Sequence, residues 1–298
     1  MNVILSKEIV MFLLIVRENK FNNIVTLKSG RCANIIYNKM KKRGRFMSVI
    51  WKNKYRTLAE PKEIFTVLIA AAGSGQRMGG VYKPMTELAG EPMIAYSLKA
   101  FQNNGFVKQI VVSAPGDRAE EIYAVAKECG CTKLKCVTSG GATRAESVIK
   151  AFRAAFDKKE DITPFLVVHD AARPMITEKQ INDVFFACTK YGAAVCATKL
   201  RDAIKRTGHD NVVTDNLDRN GVWQMQTPQA FDTDMYHTAL ATLGKEGAAS
   251  AVDDAEIVMK VGFKVVCVEC GFSNFKVTYP EDVKLAELIL SDRKKGEK

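Results

Sequence analysis

Val67-Leu68-Ile69-Ala70-Ala71-Ala72-Gly73-Ser74-Gly75-Gln76-Arg77-Met78-Gly79-Gly80-Val81-Tyr82-Lys83-Pro84 is the stretch that decides the fold. Val67 to Ala71 is an apolar run with the length and composition of a buried parallel strand. It enters a loop of small residues with glycines at 73, 75, 79 and 80 and two cations, Arg77 and Lys83. So little side-chain bulk lets backbone N–H groups fold around a phosphate, while the cations neutralise charge that amides cannot. The loop leaves the carboxyl end of a strand, where open α/β sheets bind ligands. The plain alternative is a tight turn with ordinary glycines. Two better-known phosphate loops are excluded by the letters. No Gly-Lys-Ser/Thr follows, as a P-loop requires. The dinucleotide fingerprint fails at its third glycine, where Met78 stands.

Working outward, the chain alternates strand and helix from Thr66 onward. Apolar strands are predicted at 66–71, 109–114, 134–138, 165–169, 193–199 and 263–268. Helices fall at about 92–104, 117–129, 143–157, 177–190, 234–245, 253–261 and 280–291, with Asp117 and Thr177 as N-caps. This order predicts an α/β fold: a Rossmann-like, mostly parallel sheet with helices on both faces and right-handed crossovers. The polar excursion from about 200 to 230 breaks the alternation and reads as a protruding β-arm. The expected organisation is an N-terminal extension over 1–65, a catalytic domain over 66–291, and a frayed tail over 292–298.

With 298 residues, 47% of them hydrophobic, the chain can bury a full core. Its net charge of +11 is uneven: residues 1–46 carry ten Lys/Arg against two Asp/Glu, the remainder 34 against 31. The basic balance therefore belongs to the first stretch and is poor support for nucleic-acid binding by the globular part. Met47 is an alternative start, which would make residues 1–46 an untranslated upstream reading of the frame. The apolar run Ile9 to Val16 is too short to span a bilayer. No membrane or nucleic-acid partner is expected. Eight scattered cysteines read as reduced thiols in a cytoplasmic protein. Cys267 and Cys270 have a CxxC spacing without a second pair, so zinc is not expected.

Four further junctions carry chemistry. Ser139-Gly140-Gly141-Ala142-Thr143-Arg144-Ala145-Glu146-Ser147 is a second strand–glycine–helix turn whose free N–H groups can meet a base edge or an anion. Ser147 can bond a nucleobase there, and Arg144 either joins it or braces the loop. His169-Asp170-Ala171-Ala172-Arg173-Pro174 ends an apolar strand. Asp170 at that position can hold Mg²⁺, directly or through water. Arg173 is placed to bind an anionic substrate or Asp170 itself, and His169 reads as a packing residue. Asp218-Arg219 to Trp223, then Gln226-Thr227-Pro228-Gln229, close the excursion, with Arg219 a candidate phosphate ligand and Trp223 an anchor in core or interface. Asn274 to Asp282 reads as a short strand entering a helix at Pro280. Lys276 alternates away from Phe275 and Val277, toward the crevice.

With these motifs in order, residues 66–290 resemble the 2-C-methyl-D-erythritol 4-phosphate cytidylyltransferase family. A-A-x-G-x-G-x-R-M alone marks the wider nucleotidyltransferase superfamily. S-G-G-x-x-R-x-x-S-V, H-D-A-A-R-P, D-R-x-x-x-W-x-x-Q-T-P-Q and K-V-T-x-P-E-D narrow it. The resemblance implies CTP and a polyol phosphate as substrates, Mg²⁺ as cofactor, and a homodimer joined through the arm. It implies that Ala71, Ala72, Gly73 and Gly75 line the triphosphate, with Arg77, Lys83 and Lys276 at the α-phosphate. Gly141 and Ser147 would read cytosine. Asp170 and Arg173 would stand where nucleotide and methylerythritol phosphate meet, near Thr227, and Arg219 would bind the latter's phosphate across the dimer.

Two departures stand out. Asp202-Ala203 replaces the family's Asp-Thr in the arm, and the Arg77–Lys83 spacing is one residue shorter than in many members. Rival readings are a ribitol-5-phosphate cytidylyltransferase and a non-catalytic nucleotide-binding protein.

Overall fold

The computed structural model describes residues 63–73 and 80–296, without the side chains of 294–296. Residues 1–62 of the expected N-terminal extension, with Met47 and Cys32, the loop residues Gly75 and Arg77, and residues 297–298 lie outside the described residues, and the domain's first strand begins at Phe65, one residue before the expected boundary.

The run that opens the domain becomes β1 (Phe65–Ala70). A short hairpin follows, β2 (Glu87–Leu88) with β3 (Glu91–Pro92), leading into α1 (Met93–Gln102). Then come β4 (Val107–Ala114), α2 (Ala119–Glu128), β5 (Leu134–Ser139), α3 (Arg144–Ala155), β6 (Phe165–Asp170), α4 (Glu178–Tyr191) and β7 (Ala193–Lys199). The arm is an antiparallel hairpin of β8 (Ile204–Thr207) and β9 (Val213–Leu217), mostly exposed. The chain closes with β10 (Trp223–Asp232), α5 (Thr233–Ala249), α6 (Asp254–Lys260), β11 (Val266–Glu269) and α7 (Pro280–Gly296).

The main sheet has seven strands in the order β11-β7-β10-β6-β1-β4-β5. All neighbours pair in parallel except β10, which runs antiparallel between β6 and β7. Alternation along β1 divides the core. Val67 and Ile69 face α1, α2 and α4, while Leu68 faces α3, α5 and α6. Helices thus cover both faces, and the carboxyl ends of β1, β4, β5 and β6 share one edge. A third cluster joins Leu88, Met93 and Met175 to Val277, Ala286 and Leu290, docking the segment before α7 and α7 itself.

Three sequence expectations need correction. The arm is shorter than 200–230. From Trp223 the chain returns to the middle of the sheet as β10, and a register irregularity between Met225 and Gln229 accommodates Pro228. Proline lacks an N–H to donate, so central strands exclude it except at such irregularities. Asp117 does not cap α2. It lies in a 3-10 turn over Gly116–Arg118, and Arg118 takes the cap position without a side-chain bond. Thr177, by contrast, caps α4 in a reciprocal capping box with Gln180. Residues 292–296 are not a frayed tail but the last turn of α7, where Arg293 Nη1 donates to the Met175 carbonyl at 2.8 Å. Trp223 is half-buried, at the start of β10 opposite Lys199, whose Nζ lies 5.3 Å from its ring centroid.

One aromatic stack locks α4 to the sheet. Phe65 packs face to face on Phe165 at 5.0 Å and on Phe185 at 3.8 Å between ring centroids. We expect Phe65→Ala to lose about 3–5 kcal/mol in urea unfolding. A loss below about 1 kcal/mol would contradict the place given to this stack.

Candidate functional site

Three junctions meet at the carboxyl edge of β1 and β6. Beyond β1, the Ala71 amide donates to Ser113 O at 2.8 Å, so the backbone is still pinned to β4 as it leaves the sheet. Ala71 is buried, Ala72 half-buried and Gly73 exposed. Ala72 lies under the second glycine turn: a Cβ on Gly140 would come within 2.4 Å of Ala72 Cβ. In that turn the Gly141 amide donates to Ser147 Oγ at 2.9 Å, and Ser147 donates in turn to Thr143 O at 2.9 Å. Gly141 and Ser147 are therefore brought together, and each satisfies the other. Thr143 caps α3 by accepting from the Glu146 amide.

Asp170, the last residue of β6, is the centre. Its side chain is 10% exposed. Oδ1 accepts from Arg144 Nε at 2.9 Å and Oδ2 from Lys276 Nζ at 2.8 Å. Its own amide donates to Thr227 Oγ1 at 3.0 Å, which ties β10 to the site. Burial works against the charge on Asp170, but Arg144 and Lys276 outweigh it and hold the carboxyl well below the usual carboxylate range. Burial likewise opposes charge on Arg144, and Asp254 and Asp170 overcome it, leaving the guanidinium above its ordinary pKa. Arg144 Nη1 reaches Asp254 Oδ2 at 2.7 Å, and Tyr236 OH donates to Asp254 Oδ1 at 2.7 Å. Of the two readings open for Arg144, its contacts are those of a brace.

Lys276 does not sit on a strand. Residues 275–278 join no sheet, although Val277 N donates to Ala172 O at 2.8 Å. The alternation still holds: Phe275 and Val277 pack in the third cluster while Lys276 turns to Asp170. Lys83, opening a 3-10 turn, donates from Nζ to Thr278 O at 3.1 Å, so both lysines converge on one short segment. Asp282 accepts from the Thr278 and Tyr279 amides at 2.7 and 2.9 Å, fixing that segment to the start of α7.

Arg173 is mostly buried and does not pair with the Asp170 carboxylate. Its Nη1 donates to Asn274 O at 2.8 Å, and its buried Nε has no partner among the described residues. Burial lowers its pKa. Arg219 is exposed at the foot of the arm, where it donates to Arg201 O. It is not brought to the Asp170 cluster within this chain. His169 is fully buried between Thr227 Oγ1 and the Arg173 carbonyl. Asp254, Tyr236 and Asn274 were not singled out in the sequence. Asp253 and Asp254 open the helix predicted from 253, and nothing local marks the ion pair of the second.

Both oxygens of Asp170 are engaged by cationic side chains, so a metal ion at this carboxylate would compete with Arg144 and Lys276. Mg²⁺ keeps several waters and uses one or two carboxylates plus substrate phosphates. Asp170 supplies one carboxylate at the crevice, and no group of three or more His, Cys, Asp or Glu forms a dedicated cage among the described residues.

Cations beside a buried carboxylate at the carboxyl edge of a doubly wound sheet suit an α/β transferase that handles nucleotides, and the comparisons place the chain in that class. The chain belongs to the 2-C-methyl-D-erythritol 4-phosphate cytidylyltransferase family, whose model matches residues 65–292. It is 34% identical over 232 residues to the enzyme of that name from Halalkalibacterium halodurans, covering 78% of this chain and 99% of the relative. It is 36% identical over 239 residues to the one from Chlorobium phaeovibrioides, covering 77% and 98%. Among solved structures it is similar to 4-diphosphocytidyl-2C-methyl-D-erythritol synthase from Anaerococcus prevotii, with TM-score 0.63 and 26% identity over 77% of this chain and 99% of the other. The Thermus thermophilus cytidylyltransferase gives TM-score 0.61 and 28% identity, over 76% and 98%.

Two outcomes follow from this geometry. First, Gly140→Ala forces the two glycine turns apart, and we expect on the order of tenfold weaker nucleotide binding by calorimetry, about 1.4 kcal/mol. Unchanged affinity would show that the turns do not share a ligand. Second, burial lowers the His169 pKa to about 3. The unfolded imidazole takes its proton near pH ~6.5, so the unfolded state binds the extra proton between about 6.5 and 3 and stability falls as pH drops through that window. One such group gives a slope of at most about 1.4 kcal/mol per pH unit. His237, also lowered by burial, acts in the same direction. We expect His169→Gln to flatten the stability loss measured by urea titration between about pH 7 and 5, and an unchanged slope would refute neutral burial of His169.

Proposed function

We propose that this protein transfers the cytidylyl group of CTP to 2-C-methyl-D-erythritol 4-phosphate, giving CDP-methylerythritol and pyrophosphate for isoprenoid precursor synthesis. Family membership supports the reaction, and one observation carries its placement: Lys276 bonds Asp170 at the carboxyl edge of the sheet, and Lys83 bonds the carbonyl of Thr278, two residues along the same segment. The substrate's phosphate monoester oxygen attacks the α-phosphorus, and pyrophosphate leaves in line. That oxygen is already anionic near neutral pH, so no general base is needed. What is needed is alignment and neutralisation of two repelling anions.

In this reading Ala71, Ala72, Gly73 and Gly75 line the triphosphate. Arg77, Lys83 and Lys276 are catalytic residues that draw the α-phosphate into line. Lys276 exchanges its bond to Asp170 for the phosphate, and Arg144 keeps the carboxylate paired. Gly141 and Ser147 give up their mutual bond to read cytosine. Asp170, Arg173 and Thr227 meet the polyol phosphate. Asp170 would hold Mg²⁺, directly or through water, and the ion would add neutralising charge at the phosphates. Arg219 acts on the substrate phosphate of a second subunit, in a homodimer joined by the arm. The arm's exposed Val212 and Val213 support that pairing. A cytoplasmic location accords with the unbridged thiols at 129, 131, 136, 188, 196, 267 and 270. No described helix is long and apolar enough to cross a membrane.

Pyrophosphate release from CTP tests the reading, with methylerythritol phosphate and ribitol 5-phosphate in separate arms. Release with the first alone is expected, and preference for the second would overturn the substrate assignment. Ala203, where the family's arm has Thr, makes that second arm necessary. Lys83→Ala and Arg77→Ala should fold normally and lose on the order of 10²–10³ in kcat. Near-parent kcat would reject their roles. EDTA should abolish turnover and Mg²⁺ restore it; turnover that persists in EDTA would remove the metal from the account.

A further inference from the structure

Asp254 is the first residue of α6 and is fully buried, with its side chain 1% exposed. A carboxylate so placed is costly unless it is paired and hydrogen-bonded. It does not serve the helix end, because Asp253 already caps α6 by accepting from the Glu256 amide at 2.9 Å. The partners of Asp254 are instead Arg144 Nη1 at Oδ2 and Tyr236 OH at Oδ1, both at 2.7 Å.

The Arg144 guanidinium is split between two carboxylates, with Nε on Asp170 and Nη1 on Asp254. Left to one carboxylate, arginine makes a paired, fork-to-fork contact. Such a contact on Asp170 would place a second cationic donor on Oδ2, in competition with Lys276, which now bonds that oxygen at 2.8 Å. By taking one N–H, Asp254 leaves half of Asp170 available. The cluster balances: two carboxylates, Asp170 and Asp254, against two cations, Arg144 and Lys276.

We propose that Asp254, oriented by Tyr236, is a positioning residue: it holds Arg144 so that the guanidinium engages only one oxygen of Asp170 and leaves the other for exchange between Lys276 and ligand. The kinetic part rests on the cytidylyl-transfer reading, and the structural part does not.

Asp254→Asn keeps the size and the Tyr236 hydrogen bond but removes the charge. We expect kcat to fall about 10- to 100-fold, the range typical of a residue behind the first contact shell, with KM for CTP changed far less. In an Arg144→Gln background the same substitution should cost nothing further, since it acts through Arg144. Tyr236→Phe is the milder second variant, with a smaller loss of kcat that also vanishes in that background. A crystal structure of Asp254→Asn should show the single Nε contact replaced by a paired contact on Asp170, with Lys276 displaced. The proposal is overturned by a kcat within about twofold of the parent, by losses that add to those of Arg144→Gln, or by unmoved Arg144 and Asp170 in the crystal. If Asp254→Asn does not fold, Tyr236→Phe decides by the same criteria. If the parent releases no pyrophosphate from CTP, the functional reading has failed, and the crystal structure alone decides the positioning role.

Discussion

A carboxylate buried at the end of a central strand cannot stand alone, and Asp170 is the constraint from which the site is built. Removing one partner of such a buried pair typically costs about 3–5 kcal/mol, because an uncompensated charge is left behind. The partners come from far apart in the chain: Arg144 from the start of α3, Lys276 from the segment before α7, and Thr227 from β10. Each reaches Asp170 only when its own junction is folded. The parallel core positions the carboxylate, and the carboxylate gathers the other elements around the crevice.

The same constraint organises the cations. Lys276 is held on the crevice by the burial of Phe275 and Val277 on its other side. Lys83 is tied to the same segment through Thr278 O. Asn274, at its base, donates to Thr227 O at 2.8 Å and accepts from Arg173 through its carbonyl. An anion that drew Lys276 from Asp170 would therefore act on a segment tied to β10 through Asn274 and to the Lys83 turn through Thr278. That coupling suits a reaction that must align two substrates of like charge.

Much of this was legible in the residues. Apolar runs such as Val67–Ala71 and Phe165–Val168 gave the parallel core, because burial on both faces leaves continuous hydrophobic stretches. The glycine turns and the Asp170 junction were visible for the same local reason. β10 was not. Pro228 and the polar run Gln224, Gln226 and Thr227 read as the end of an arm leaving the sheet, yet this stretch pairs with β6 and β7, and Gln226 and Thr227 are buried at the site. The last turn of α7 was obscured by its charges, which read as a tail. Asp254 was beyond reach, since its ion pair joins residues 110 positions apart and nothing local marks it.

The central claim is that Asp170 holds Lys276 in reserve for the nucleotide. A crystal structure with CTP and Mg²⁺ bound tests it most directly. The account predicts Lys276 Nζ within hydrogen-bond distance of the α-phosphate, with Arg144 still on Asp170. Lys276 remaining on Asp170 while the triphosphate lies elsewhere would contradict it.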